Sequence, residues 1–335
     1  MLTARTCLRN SNHCPCKNAR WLIGMSNHQP VLVTEALQGL AVNEDGWYVD
    51  GTYGRGGHSA EILAQLGEHG RLLALDKDPE AVEHAQRSLV ADPRFSIRHG
   101  GFEDLREHVE PWLQGHPLAG VLLDLGVSSP QLQAPERGFS FAKDGPLDMR
   151  MNPTEGVTAR AWLGHVDEAE LAYVLRHLGE EPRARQIARA ILRERAQAPI
   201  RTTGQLAEII ANVSGGRVRR IHPATRAFQA IRIHINDELK SLESGLEACL
   251  DLLAAGGRLC VISFHSLEDR IVKRFMARQA KGDPTYAGLP DIPPAARPTL
   301  RLIGGLIRPD ESEIDSNPRA RSARLRVAEK LEAPG

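Results

Sequence analysis

The stretch Asp50-Gly-Thr-Tyr-Gly-Arg-Gly-Gly-His58 lies between a short apolar run and a segment with helical periodicity. A glycine loop between a buried strand and a helix lets a ligand approach the backbone and the helix N-terminus, which is how nucleotide-like cofactors are held. The glycines follow the order G-x-x-G-x-G, which differs from the G-x-G-x-x-G of dinucleotide-binding dehydrogenases. The stretch therefore predicts a strand, a ligand-binding loop and a helix, without the dehydrogenase signature.

On the C-terminal side of this loop, apolar runs alternate with helical patterns. Strands are predicted at residues 71–76, 95–99 and 120–125, and helices at residues 58–66, 81–89 and 102–113. Because these strands are almost entirely apolar, both faces of the sheet must be covered, as in a parallel sheet with helices on each side. The fold class is therefore predicted to be α/β.

The alternation stops near residue 134 and resumes after residue 223. The segment between contains loop signals and then helical patterns at residues 167–178, 183–195 and 205–213. We interpret residues 135–223 as an inserted all-helical domain, and residues 25–134 and 224–335 as the two parts of the sheet domain. The second part predicts one long helix at residues 225–253 ended by Gly256-Gly257, strands at 258–264, 300–303 and 324–328, and a helix at 267–279.

Composition excludes several classes of protein. The 335 residues include no apolar run of the roughly 18 needed to cross a bilayer, and no stretch typical of a signal peptide. Five cysteines, three of them within the first sixteen residues, do not form a disulfide framework, so we expect a reducing, cytoplasmic setting without membrane association. Residues 1–24 are interpreted as a disordered extension or a mis-set start codon. We identify no metal-ligand set, P-loop or Ser-His-Asp arrangement.

The charges balance, with 42 basic and 42 acidic residues, but they are unevenly distributed. The segment from residue 183 to residue 234 contains only two glutamates but eleven arginines, at positions 183, 185, 189, 193, 195, 201, 217, 219, 220, 226 and 232. Guanidinium groups bind phosphate in two places at once, so the segment favours a polyanion such as RNA; a solvated helical face is the alternative. We assign the backbone contact in particular to the adjacent pair Arg219 and Arg220.

Two acids, Asp50 and Asp76, stand at the ends of predicted strands close to the glycine loop. Asp76 ends the second strand, 25 residues beyond Gly51, where an acid can accept hydrogen bonds from ribose hydroxyls. An acid followed by G-x-x-G-x-G, with a second acid at the end of the next strand, resembles the S-adenosylmethionine loop of class I methyltransferases. Another nucleotide binder and a purely structural glycine turn remain alternatives.

The fourth strand ends in Asp124-Leu-Gly-Val-Ser-Ser-Pro-Gln131. At this place, methyltransferases that act on the amino groups of bases carry the motif Asp/Ser/Asn-Pro-Pro-Tyr. Ser129-Pro130 matches its first two positions, but Gln131 stands in place of the second proline. The exocyclic amine of a base is a poor nucleophile, and acceptors close to its hydrogens would help to localise its lone pair. Asp124, Ser129 and Pro130 are therefore catalytic candidates, with an ordinary strand-end turn as the alternative. His265 ends the fifth strand and could face the same cleft or serve a structural role.

Long stretches of the chain resemble one family, the ribosomal RNA small subunit methyltransferase H enzymes. The matching segments are Asp50–His58 as quoted above, Leu122-Leu-Asp-Leu-Gly-Val-Ser-Ser-Pro-Gln131, Arg137-Gly-Phe-Ser-Phe141, Gly145-Pro-Leu-Asp-Met-Arg-Met151, His222-Pro-Ala-Thr-Arg-Ala-Phe-Gln-Ala-Ile-Arg232 and Ile262-Ser-Phe-His-Ser-Leu-Glu-Asp269. The resemblance implies a class I, Rossmann-like methyltransferase sheet with an inserted helical domain. It implies that S-adenosylmethionine is contacted by Gly56, Gly57, His58, Asp76, Phe102, Asp124 and Gln131.

The resemblance also implies a reaction: methylation of N4 of a cytidine in the decoding region of 16S ribosomal RNA, within the small ribosomal subunit. For Arg137, Asp148, Arg150 and Arg226 two interpretations stay open, contact with the substrate or salt bridges that dock the insertion on the sheet. A DNA amino-methyltransferase and a non-catalytic RNA-binding protein on the same scaffold are the rival functions. A homo-oligomer is compatible with the sequence.

Overall fold

The computed structural model describes residues 30–213, 222–286, 293 and 296–332. Within them the sheet has seven strands: β1 Trp47–Asp50, β2 Arg71–Asp76, β3 Phe95–His99, β4 Leu118–Asp124, β5 Leu253–Ser263, β6 Leu300–Leu302 and β7 Arg324–Lys330. Their order is β3-β2-β1-β4-β5-β7-β6. The strands β1 to β5 pair in parallel, and β7 runs antiparallel to both of its neighbours, β5 and β6. The α/β prediction is confirmed, including both late strands.

The order of the strands creates the position of the site. From β1 the chain moves outward to β2 and β3, and then returns to place β4 on the other side of β1. At such a reversal the loops leave the carboxyl ends of neighbouring strands in opposite directions, which opens a crevice. Asp50, Asp76 and Asp124 are the last residues of β1, β2 and β4, so three acids meet at this edge.

Helices cover both faces of the sheet, as the apolar strands predicted. One apolar cluster includes α1 Val33–Leu40, α2 Gly57–Gln65 and α3 Pro79–Ser88, and the other includes α4 Leu105–Leu113. A short helix, α5 Ser129–Gln133, follows β4. The helix predicted at residues 102–113 begins as a separate 3₁₀ turn, Phe102–Asp104, so that Phe102 stands at the edge of the crevice.

The inserted segment has its own apolar cluster. Its helices are α6 Ala159–His165, α7 Glu168–His177, α8 Ala184–Gln197 and α9 Thr203–Val213. The predicted capping box of α9 is present, because Gln205 accepts from the Thr202 N–H and its own N–H donates to Thr202 Oγ1. The same apolar cluster includes residues of α10 Thr225–Ile235, beyond residue 223. Residues 1–24 and Arg217, Arg219 and Arg220 lie outside the described residues.

The prediction of a single long helix over residues 225–253 is wrong. This segment forms two helices, α10 and α11 Glu238–Leu252, because Asp237 between them adopts a left-handed backbone with φ of 51°. The Asn236 amide explains the break: its oxygen accepts from the Met151 N–H at 2.7 Å and its nitrogen donates to the carbonyls of Met149 and Arg232. Gly256 and Gly257 lie inside β5 rather than at the helix end.

The C-terminal part completes the sheet domain. The helix α12 Ser266–Lys281 packs on the same face as α11, and α13 Glu311–Ser316 precedes β7. Arg324 and Arg326 of β7 both bind the Asp269 carboxylate of α12. In the part of the chain that the structure describes, no helix combines the length and the apolar character that a membrane crossing requires.

Candidate functional site

A cleft with a volume of about 820 Å³ opens at the carboxyl edge of the sheet, facing the insertion. This volume lies in the range of cofactor and ligand pockets. Eight of the nine residues proposed from the sequence as cofactor contacts or catalytic groups line it: Gly57, His58, Asp76, Phe102, Asp124, Ser129, Pro130 and Gln131. Its far side is formed by α10 and by the turn from β5 into α12. The structure therefore brings most of the predicted cofactor contacts into one cavity.

The glycine loop after β1 is fixed by the two acids beside it. Asp50 is 1% exposed, and its carboxylate accepts from the Thr52 N–H and from the Ser59 hydroxyl. Gly54 donates its N–H to Asp76 Oδ2 at 2.7 Å, which ties the loop to the end of β2. The loop is thus held in a defined shape before any ligand arrives.

Gly56 itself is not a lining residue of the cleft, but it sets the start of α2. It has φ of 74°, and a Cβ at this position would lie 2.5 Å from the Tyr53 hydroxyl oxygen. No side chain among the described residues caps α2. The first N–H groups of a helix have no partner within the helix, so here they are available to an anionic group such as a carboxylate.

Asp76 and Asp124 line the cleft and, with Asp50 buried beside the glycine loop, concentrate acidic groups at this edge of the sheet. Burial raises the pKa of Asp76 to about 6, although its hydrogen bonds from the Asp78 and Gly54 N–H groups act in the opposite direction. Burial likewise raises the pKa of Asp50. A cationic ligand would relieve the cost of holding these carboxylates together. S-adenosylmethionine, with its ammonium and sulfonium groups, its carboxylate and its ribose hydroxyls, fits this set of donors and acceptors.

Asp124 and His58 form a polar pair inside the cleft. The distance from His58 Nε2 to Asp124 Oδ2 is 3.5 Å. Burial by itself would lower the pKa of His58, but the carboxylates of Asp124, Asp50 and Glu313 outweigh that effect and raise it. Within the described residues neither Asp124 Oδ1 nor the two ring nitrogens of His58 have a hydrogen-bond partner. Buried polar atoms without partners point to a ligand that supplies them.

Phe102 lines the cleft from its 3₁₀ turn and packs against α11. A Cβ on Gly245 of α11 would lie 2.7 Å from Phe102 Cδ2, so the glycine makes room for the ring. The ring is half-buried, with part of its surface open to the cavity. This arrangement is compatible with stacking on a flat heterocycle as well as with packing alone.

Gln131 and Arg137 meet at one buried carboxylate. The Gln131 amide nitrogen and the Arg137 guanidinium both donate to Asp78 Oδ2 at 2.8 Å. Arg137 is 6% exposed and also donates to the Arg150 and Met151 carbonyls of the insertion. The structure therefore favours the docking interpretation of Arg137 over contact with the substrate, because its donors are already engaged.

Three other proposed substrate contacts, Asp148, Arg150 and Arg226, lie outside the lining of the cleft. Asp148 and Arg150 pair with each other, with Arg150 Nε 2.7 Å from Asp148 Oδ1. Arg226 is exposed and donates to the Glu180 carbonyl at 3.3 Å. Several arginines of the basic segment are also engaged: Arg183 and Arg195 donate to backbone carbonyls, and Arg189 pairs with Glu168. In the described part of the segment, some arginines therefore stabilise the fold and are not free to bind a polyanion.

Ser129 is buried, and its hydroxyl oxygen accepts from the guanidinium of Arg319. Ser129 and Pro130 open the short helix α5, where Ser128 and Gln131 form a capping box. Ser129 Oγ already accepts one hydrogen bond, whereas Asp124 Oδ1 accepts none within the described residues. Sequence reasoning missed Arg319, because a single arginine in a polar segment gives no periodic signal.

Arg232, which the sequence analysis places only in the basic segment, lies on the far side of the cleft. The Arg232 guanidinium is half-buried and donates to both carboxylate oxygens of Glu238 at 2.7 Å. Glu238, His265 and Glu268 place oxygen and nitrogen atoms within 4.8 Å of one another, a spacing that a metal ion could use. The bidentate guanidinium contact occupies Glu238, however, and supplies the positive charge that a metal would bring.

The family model described as MraW methylase family matches residues 25–331. A relative from Xylella fastidiosa (strain M12) named Ribosomal RNA small subunit methyltransferase H is 58% identical over 310 residues, which cover 91% of this chain and 97% of the relative. A relative of the same name from Stenotrophomonas maltophilia (strain K279a) is 56% identical over 307 residues, 91% of this chain and 94% of the relative.

Among solved structures, an rRNA methylase from Streptococcus thermophilus matches with 12% sequence identity and a TM-score of 0.42, over 91% of this chain and 98% of that one. The family model and the close relatives each span nearly all of the sequence. The chain belongs to the MraW methylase family and is a methyltransferase that uses S-adenosylmethionine.

Proposed function

We propose that this chain methylates the N4 amino group of one cytidine in the decoding region of 16S ribosomal RNA, within the small ribosomal subunit and in the cytoplasm. The family and the name shared by the relatives support ribosomal RNA as the substrate class. The observation that carries the chemistry is the unpartnered Asp124 Oδ1 in the cleft, because an acceptor there suits an amine that must lose a proton.

We assign cofactor binding to the glycine loop after β1 and to residues that follow or end β2 and β3. The N-terminus of α2 would bind the carboxylate of the methionine moiety, and Asp76 would accept from the ribose hydroxyls. Phe102 would contact the adenine. When bound, S-adenosylmethionine supplies an electrophilic methyl group on sulfur and leaves as S-adenosylhomocysteine.

Asp124 serves the other reactant. Its free oxygen accepts an N–H of the target amine, which localises the nitrogen lone pair and orients it for a single displacement. The methylated amine is cationic and loses a proton to the carboxylate or to water, so no separate general base is required. A base paired in a helix cannot reach Asp124, so the cytosine leaves its stack to enter the cleft.

The basic segment is assigned to the RNA backbone. Phosphate contacts supply affinity and orientation but no sequence information. Of the arginines in the segment, Arg185 and Arg201 are exposed. The assignment of Arg219 and Arg220 to the RNA backbone is based on the sequence alone. Selection of the cytidine therefore depends on the cleft and on the shape of the ribosomal particle.

The test is nucleoside mass spectrometry of 16S ribosomal RNA from cells that lack this protein. We expect N4-methylated cytidine to be absent and to return with the wild-type chain but not with Asp124→Ala, while the matched surface variant Asp45→Ala restores it. Unchanged N4-methylated cytidine in the deleted strain would contradict the proposal. In vitro, methyl transfer to duplex DNA but not to small subunits would favour the DNA amino-methyltransferase instead.

A further inference from the structure

His265 is held at the N-terminus of α12 by hydrogen bonds in both directions. Its Nδ1 accepts from the Glu268 N–H at 3.3 Å, and Glu268 Oε2 accepts from the N–H groups of Phe264 and His265. Glu268 is 2% exposed, and its pKa is lowered because the contacts with His265 and Arg232 and the backbone hydrogen bond outweigh its burial. The imidazole therefore has a fixed position and orientation.

These contacts also fix the tautomer. Since Nδ1 accepts a hydrogen bond, the proton of the neutral ring lies on Nε2. Nε2 is 3.1 Å from Glu268 Oε1 but is not aligned with it, and it has no hydrogen-bond partner among the described residues. The side chain is 10% exposed and lines the cleft. A protonated Nε2 has no lone pair for a metal ion, so this atom is a donor whose nearest acceptor, Glu268 Oε1, is poorly aligned with it.

The donor and the free acceptor already described follow neighbouring strands of the sheet. Asp124 of β4 is paired with Ile262 of β5, three residues before His265, and the two strands are neighbours in the sheet. Neighbouring strands lie about 4.8 Å apart. One end of the cleft thus offers an unsatisfied acceptor on β4 and an unsatisfied donor just beyond β5.

We propose that His265 is a substrate-recognition residue whose Nε2–H donates to ring nitrogen N3 of the target cytosine, while Asp124 accepts from the adjacent N4 amine. Cytosine presents an acceptor at N3 next to the amino group, which complements this pair. Uracil presents an N–H at position 3 and a carbonyl at position 4, so both contacts would be repulsive. The inference rests on the proposed function and adds to it the residue that distinguishes the base.

The experiment uses small ribosomal subunits reconstituted with 16S RNA that carries either cytidine or 3-deazacytidine at the target position. The deaza base replaces N3 by a C–H group and keeps the amine. With the wild-type enzyme, we expect the deaza substitution to lower kcat/KM for methyl transfer at least tenfold. Equal kcat/KM values for the two substrates would overturn the proposal without the use of any variant.

The variant His265→Asn completes the test. Asparagine is a good N-cap but is too short to reach the base, so α12 is expected to keep its start. We expect a lower kcat/KM on the natural subunits, unchanged affinity for S-adenosylhomocysteine, and a deaza penalty at least fivefold smaller than in the wild type. The exposed His69→Asn serves as the control and should match the wild type.

The outcomes separate the inference from the function on which it rests. If His265→Asn shows the same deaza penalty as the wild type, His265 does not read N3 and the inference is wrong. If the wild-type enzyme fails to methylate the natural subunits at all, the proposed function fails instead. A merely structural role for His265 would lower the rates on both substrates by the same factor.

Discussion

Asp76 makes the cleft sensitive to pH. Its pKa of about 6 means that it is largely protonated at pH 5 and largely ionised at pH 7. Only the ionised carboxylate offers all of its lone pairs to the ribose hydroxyls. The affinity for S-adenosylmethionine should therefore increase as the pH is raised through about 6.

Calorimetric titration between pH 5 and pH 7.5 checks this expectation. Asp76→Asn should bind the cofactor more weakly and should lose most of the pH dependence, whereas the surface variant Asp45→Asn should behave as the wild type does. Because the folded-state pKa is raised, the contribution of Asp76 to the stability of the free protein is full below about pH 4 and is lost as the pH rises through about 6. Identical affinities for wild type and Asp76→Asn at pH 7.5 would contradict its role.

At the residue scale, the sequence predicted which residues lie at the ends of the strands, but not which distant side chains contact the residues around the cleft. Asp76 and Asp124 were placed correctly at the crevice because each is the last residue of an apolar run. The docking contact of Arg137 with Asp78 joins residues 59 positions apart, and the contact of Arg319 with Ser129 joins residues 190 apart. Side-chain pairs at such separations leave no periodic trace in a single sequence.

Among the elements, α2 depends on the conformation of one glycine. Gly56→Ala places a non-glycine residue at φ of 74° and puts its Cβ against the Tyr53 hydroxyl. We expect it to lower the free energy of unfolding by about 2–4 kcal/mol, from backbone strain and overpacking together. It should also weaken cofactor binding, because the N-terminus of α2 moves.

Gly115→Ala separates the two effects. Gly115 also has a left-handed backbone, with φ of 89°, but a Cβ there would meet nothing within 4 Å. It should therefore cost only about 1–2 kcal/mol of strain and leave cofactor affinity unchanged. Urea denaturation and calorimetry measure both quantities. Equal losses of stability in the two variants would show that the Tyr53 contact is unimportant.

The elements themselves were largely predictable, because strands covered on both faces are continuous apolar runs and the helices have clear periodicity. The break between α10 and α11 was not. The sequence around Asn236 continues the helical pattern, and the break follows from its hydrogen bond to the Met151 N–H, 85 positions away in the insertion. Tertiary contact here overrides local preference.

For the whole molecule, the ion pair of Arg137 and Asp78 is one of the contacts that join residues 135–223 to the sheet. Both side chains are buried, so Arg137→Met leaves an uncompensated carboxylate and should cost about 3–5 kcal/mol of stability. The double variant Arg137→Met/Asp78→Asn should recover part of this loss. Thermal unfolding of the four proteins in the cycle measures the coupling.

The two interpretations of Arg137 predict different results from this cycle. Docking predicts a coupling energy between Arg137 and Asp78, together with a loss of stability in the single variant. A direct substrate contact predicts a weaker affinity for RNA with unchanged stability. The exposed Arg226→Met is the matched control and should leave the unfolding temperature unchanged.

Binding of RNA by the whole molecule should depend strongly on salt. Replacing Arg219 and Arg220 together by alanine should weaken binding to small subunits and reduce the slope of log affinity against log salt by about 1–2. Filter binding at several salt concentrations measures the slope, with Arg106→Ala, outside the basic segment, as the control. An unaltered slope in the double variant would refute the phosphate role.

The position of β7 has a consequence for synthesis of the protein. It lies between β5 and β6 although it follows both in the chain, and two of its arginines bind Asp269. A nascent polypeptide that has not yet released β7 from the ribosome leaves the hydrogen-bonding edge of β5 open. Until that strand arrives, the partly made enzyme exposes a surface prone to aggregation, and it is this interval in which a chaperone would be most useful.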